Sequence, residues 1–107
     1  MPDYKVTITD HAIKDLDVIY QHYLIRVDNR LADKLLSEID EAIDQLTIQP
    51  LLGHLPLELA FSNEDYLELL TKSFRLIYRL EKQCITIVMI LHQKQSVVKA
   101  VSARLLH

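Results

Sequence analysis

Arg75, Arg79 and His92 are the residues of this chain whose types and spacing best suit chemistry. The arginines of "FRLIYRLE" stand an even number of residues apart, so on a strand both guanidiniums leave the same face. Such a pair can grip a phosphate or carboxylate through planar, forked hydrogen bonds. His92 closes the apolar run "ITIVMILH", and histidine is the side chain best suited to moving a proton near neutrality. Together the three would stabilise an anionic centre and shuttle a proton, although no carboxylate suggests itself as a general base. Each arginine alone reads more simply as a solvated residue with its stem over Ile77 or Ile90.

Other constellations are thinner. His11 and Asp15 lie one helical turn apart and could share a metal, but no third ligand accompanies them, so no metal site is expected. Cys84 is the single cysteine, which excludes an internal disulfide and a paired-cysteine metal site; it reads as a small buried hydrophobe. Gly53 is the single glycine, so the chain has no glycine-rich phosphate loop, and no cofactor is expected. His54 reads as a loop residue, and Tyr20 and Tyr23 as core. A net charge of −3 argues against nucleic acid as the main ligand, because such proteins gain affinity from clustered cations. The opening residues show no signal-peptide pattern, and "ITIVMIL" is too short to span a bilayer. With a lone cysteine, these features suit a protein of the cytoplasm that has no membrane partner.

The elements that must position these residues follow from periodicity. "YKVTITD" alternates as a half-buried strand does, and Asp10 stands where a helix N-cap would. Ile13, Leu16, Tyr20, Tyr23, Leu24 and Val27 then recur at helical steps, until Asp28 or Asn29 stops that helix and caps the next. Ala32, Leu35, Ile39, Ala42 and Leu46 form the second stripe, widened by Leu36 and Ile43 and ended by Pro50 and Gly53. A very short connection makes the two helices an antiparallel hairpin. Residues 50–65 read as a long ordered loop, followed by strands over 66–71, 74–81 and 84–92. The tail from Val97 to Leu106 has no decisive period. The 107 residues, half of them apolar, form one domain over 1–107. Its class is α+β: an N-terminal strand at an edge, and a helical hairpin packed on one face of a mostly antiparallel, curved sheet.

The last two strands can be phased against each other. With Lys82 and Gln83 as the turn, counting outward places Phe74, Leu76, Tyr78 and Leu80 on one face with Ile85, Ile87, Met89 and Leu91. That wholly apolar face belongs under the helices. The other face would then carry Arg75 and Arg79 in line with His92.

Three stretches together resemble the RelE/ParE superfamily of toxins from type II toxin–antitoxin (plasmid stabilisation) systems: "ITDHAIKDLDVIYQHY", "AIDQLTIQPLLGH" and "FRLIYRLEKQCITIVMILHQKQ". The first helix matches the family's Ala-x-x-Asp-Leu-x-x-Ile-x-x-Tyr pattern at Ala12, Asp15, Leu16 and Ile19, with His22 in place of the final tyrosine. Ile43, Leu46, Pro50 and Gly53 match its helix end, and Tyr78, Arg79 and His92 its late strands. The resemblance implies a cognate antitoxin as partner and growth inhibition as activity. It leaves two targets open. A ParE-like member would bind and poison DNA gyrase without hydrolysis, with target contact near the C-terminal tail, at Lys94, Lys99 and Arg104. A RelE-like member would be a ribosome-dependent, metal-independent endoribonuclease acting on messenger RNA, with Arg75, Arg79 and His92 as its catalytic set. Acidity, the missing acid–base pair and the lack of a lysine cluster favour the gyrase inhibitor.

Overall fold

A computed structural model describes residues 4–53 and 66–93. The chain enters on strand β1 (Lys5–Ile8), which turns Val6 and Ile8 inward to the core. Helix α1 (Asp10–Arg26) follows at once. Its cap is Thr9, one residue before the expected Asp10: the Thr9 hydroxyl accepts the Ala12 N–H at 3.2 Å. Asp10 instead falls in the first turn, where its charge favours the positive end of the helix dipole.

The expected stripe of α1 is only partly the buried one. Ala12, Leu16, Ile19 and Tyr23 pack on the core, whereas Ile13 and Val27 are exposed and the Tyr20 hydroxyl reaches Asp33. Apolar residues run almost all round this helix, so periodicity alone left its rotation open. In helix α2 (Asn29–Ile48) the pattern was unambiguous, and Ala32, Leu35, Ile39, Ala42 and Leu46 are all buried. Asp28 caps it, accepting the Arg30 N–H at 2.8 Å.

Strands β2 (Tyr66–Leu70), β3 (Phe74–Glu81) and β4 (Cys84–His92) complete a four-stranded sheet in the order β1-β4-β3-β2. β1 runs parallel to β4, as a strand joined through a helical crossover can, while β4 with β3 and β3 with β2 are antiparallel. The fold is therefore the α+β arrangement expected, with β1 at an edge. Lys82, at φ 53, supplies the left-handed residue that a two-residue hairpin turn requires where no glycine is present.

The register of β3 on β4 departs from simple alternation at one point. From the turn as far as Tyr78↔Ile87 the pairing is as counted from the sequence, but the next pair is Ile77↔Met89. Val88 is the extra residue of a β-bulge, and beyond it every β4 side chain changes face. Ile90, not Met89 or Leu91, lies with Phe74, Leu76, Tyr78, Ile85 and Ile87 in the core beneath the helices. Met89 and Leu91 are equally buried, but they cluster with Ile77 on the far side of the sheet.

Candidate functional site

The bulge separates the residues that the sequence had placed together. Arg75 projects from the outer sheet face, and its Nη2 lies 2.6 Å from Oε2 of Glu68 on β2, with Nε at 3.2 Å from the same oxygen. The two side chains are 12% and 5% exposed, so this is a buried ion pair and not a guanidinium free to meet a ligand. Glu68 is the carboxylate that sequence reasoning missed. It stands in an otherwise apolar strand, "YLELL", and only the β2–β3 register, with Glu68 opposite Ile77 and Leu70 opposite Arg75, brings the two charges into diagonal contact. Arg79 is more open, and its Nη1 lies 3.9 Å from Glu81.

His92 is on the other face, which corrects the expected alignment with the arginines. Its ring meets Phe74 edge-on, with centroids 6.2 Å apart. With Val18, Ile19, His22 and Tyr23 of α1 it lines a cleft of about 330 Å3. A second hollow of about 180 Å3 shares Val18 and Ile19 and extends past Lys14, Asp15, Ile90 and Leu91. Asp15 has a definite task there: its Oδ2 accepts the Ile90 N–H at 3.1 Å, just beyond Ile87, where the pairing of β1 with β4 has ended. This bond clips α1 to the end of β4. Among the described residues no group of three metal-ligating side chains occurs.

The surrounding backbone is held by polar contacts from distant segments. The Tyr78 hydroxyl donates to the Pro50 carbonyl at 2.8 Å and accepts the Gly53 N–H at 3.0 Å, which ties the end of α2 to β3. Burial pushes the Tyr78 phenol above its ordinary value of 10.0, and the Gly53 N–H partly opposes that shift. Gly53 is required by close approach: a Cβ there would stand 2.6 Å from the Tyr78 hydroxyl and 2.7 Å from the Glu68 carbonyl. We expect Gly53→Ala to cost about 1–3 kcal/mol in denaturant unfolding. The cost should persist in a Tyr78→Phe background, since the Glu68 carbonyl is backbone and cannot swing away. At the β2–β3 turn, Glu38 of α2 accepts the Ser73 N–H at 2.7 Å and the Thr71 hydroxyl. Gln93 completes this tie, its N–H reaching the Ser73 carbonyl at 3.0 Å and its amide the Thr71 carbonyl. The polar break after β4 thus anchors the strand's end to the β2–β3 turn. Lys94, Lys99 and Arg104, the expected target-binding residues, lie outside the described residues.

Two helices on one face of a four-stranded mixed sheet, with a histidine at the end of the last strand and a Tyr-Arg pair on its neighbour, define a small α+β domain. The family model for the ParE toxin of the type II toxin–antitoxin system, parDE, matches residues 6–97, and the chain belongs to this family within the RelE/ParE superfamily. Among solved structures it is similar to a chain of the chromosomal ParDE toxin–antitoxin system of P. aeruginosa. The two are 22% identical with a TM-score of 0.67, over 83% of this chain and 95% of that one. It is also similar to a chain of the RelBE2 toxin–antitoxin complex of Mycobacterium tuberculosis, at 23% identity and a TM-score of 0.57, over 85% of this chain and 99% of that one. No curated protein matches the chain. Among the described residues no helix is long and apolar enough to cross a membrane.

Proposed function

We propose that this toxin arrests growth by binding and poisoning DNA gyrase, and that a cognate antitoxin neutralises it. The observation that carries this reading is the separation of Arg75 from His92. Phosphodiester cleavage without a metal needs a cation on the phosphate and a proton-transfer group on the same reacting atoms. Here Arg75 is neutralised by Glu68, and His92 stands across the sheet in a cleft against α1. Gyrase poisoning asks for a binding surface and no such convergence. The tail, with Lys94, Lys99 and Arg104, is the segment proposed to reach the target.

Inducing the protein in cells tests this directly. DNA damage signalling should rise before translation falls, and messenger should remain intact. Arg79→Ala and His92→Ala should still arrest growth, whereas replacing Lys94, Lys99 and Arg104 together with alanine should abolish arrest. Cleaved ribosome-bound messenger with no damage response would establish the ribonuclease reading instead.

A further inference from the structure

We propose that Glu38 is a positioning residue for target binding: acting through the β2–β3 turn, it fixes where the C-terminal tail leaves the sheet. The role rests on the reading in which Lys94, Lys99 and Arg104 reach gyrase. Lys94 follows directly on Gln93, which the turn grips, so the placing of Gln93 decides where that cation starts. Helix α2 carries five acids, Asp33, Glu38, Asp40, Glu41 and Asp44, and four of them are exposed, as on any solvated face. Glu38 is half-buried instead. Its Oε2 alone accepts both the Ser73 N–H, at 2.7 Å, and the Thr71 hydroxyl.

The turn needs an outside hold. Favoured two-residue hairpin turns place at least one central residue at positive φ. Lys72 and Ser73 do not, since Lys82 is the only non-glycine residue at positive φ among the described residues. Side chains hold this turn instead. The Thr71 N–H reaches the Phe74 carbonyl at 3.0 Å, and the Thr71 hydroxyl accepts the Phe74 N–H at 2.9 Å while giving its own proton to Glu38. The Ser73–Phe74 peptide is planar, so fixing its N–H also aims the Ser73 carbonyl the opposite way.

That carbonyl is the one Gln93 uses. The Gln93 N–H bonds to it at 3.0 Å, and the Gln93 side-chain amide donates to the Thr71 carbonyl on the other side of the turn. An exposed residue at the end of a strand is thus gripped at two points. The hold runs without a break from the Glu38 carboxylate to the Thr71 hydroxyl, through the Ser73–Phe74 peptide, to Gln93. Removing Glu38 leaves the Ser73 N–H and the Thr71 hydroxyl to water and frees the turn to change shape, and Gln93 then loses the two carbonyls in their present places.

Two measurements on the purified full-length protein test this: amide hydrogen exchange, and inhibition of DNA supercoiling by purified gyrase. Glu38→Ala should speed exchange of the Gln93 amide about tenfold and raise the half-inhibitory toxin concentration about tenfold, the worth of one hydrogen bond to a charged acceptor. Because both bonds end on one oxygen, an amide carbonyl can replace it, and Glu38→Gln should stay within about twofold of wild type in both measurements. Gln93→Glu, which sets an acceptor against the Thr71 carbonyl, should fail as Glu38→Ala does. Thr9→Ala is the control for stability: it loses the α1 cap and should leave inhibition within about twofold of wild type. Full inhibition by Glu38→Ala, beside an inactive triple alanine variant at Lys94, Lys99 and Arg104, would overturn the role of Glu38 and leave the gyrase reading standing. So would a Glu38→Gln as weak as Glu38→Ala, a Thr9→Ala equally impaired, or Gln93 exchange that Glu38→Ala does not change. A wild type that leaves gyrase active overturns both.

Discussion

Replacing Arg75 with alanine should cost about 3–5 kcal/mol of stability, because it leaves the Glu68 carboxylate charged and buried without its partner. Arg75 and Glu68 share a contact of 2.6 Å in a part of the sheet flanked by the Ile77, Met89 and Leu91 cluster. Removing both charges together is a different matter. Arg75→Met with Glu68→Leu exchanges an ion pair for apolar volume, and such exchanges are often neutral or stabilising. Urea unfolding of the single and double variants measures the difference, and a single variant as stable as wild type would show that the pair is not buried in solution. The result bears on function as well. A toxin carrying Arg75→Ala that fails to arrest growth would have lost its fold, so Arg79 is the arginine on which activity can be tested cleanly.

Much of the architecture was legible in the sequence, and the reasons are local. β2, β3 and β4 were bounded to within a residue because turn residues flank each apolar run, and α2 was phased correctly because its stripe is narrow. α1 was not, since its apolar residues occupy more than one face and only the sheet decides which of them it buries. The site was less legible than the fold. Both arginines do leave the outer face, but the partner of Arg75 comes from a strand that shows one charge among four apolar residues. His92 was assigned to the wrong face for a different reason. Alternation along β4 is uniformly apolar from Ile87 to Leu91, so an inserted residue leaves no mark on the pattern. Only the structure shows that β1 pairs as far as Ile87 and that Asp15 takes the Ile90 N–H beyond that point. Likewise the Pro50, Gly53 and Tyr78 matches to the family pattern become one structural unit, a phenol held between a carbonyl and an N–H.

Ile87→Ala and Met89→Ala should each cost about 2–5 kcal/mol, yet their effects should spread through different halves of the molecule. Ile87 is wholly buried beneath the helices opposite Tyr78, and truncating it opens a cavity in that core. Met89 is nearly as buried, but its neighbours are Ile77 and Leu91 on the outer face, close to the Glu68–Arg75 pair. The sheet lies between the two clusters. Methyl chemical shifts should therefore move in the core beneath the helices for Ile87→Ala, and at Ile77 and Leu91 for Met89→Ala, with the methyls of that core unchanged. Unbroken alternation along β4 predicts the opposite for Met89, since it would then share a face with Ile87. Perturbation of Leu35, Ile39 or Leu46 by Met89→Ala would thus remove the bulge at Val88, return His92 to the arginine face, and take away the observation on which the gyrase reading rests.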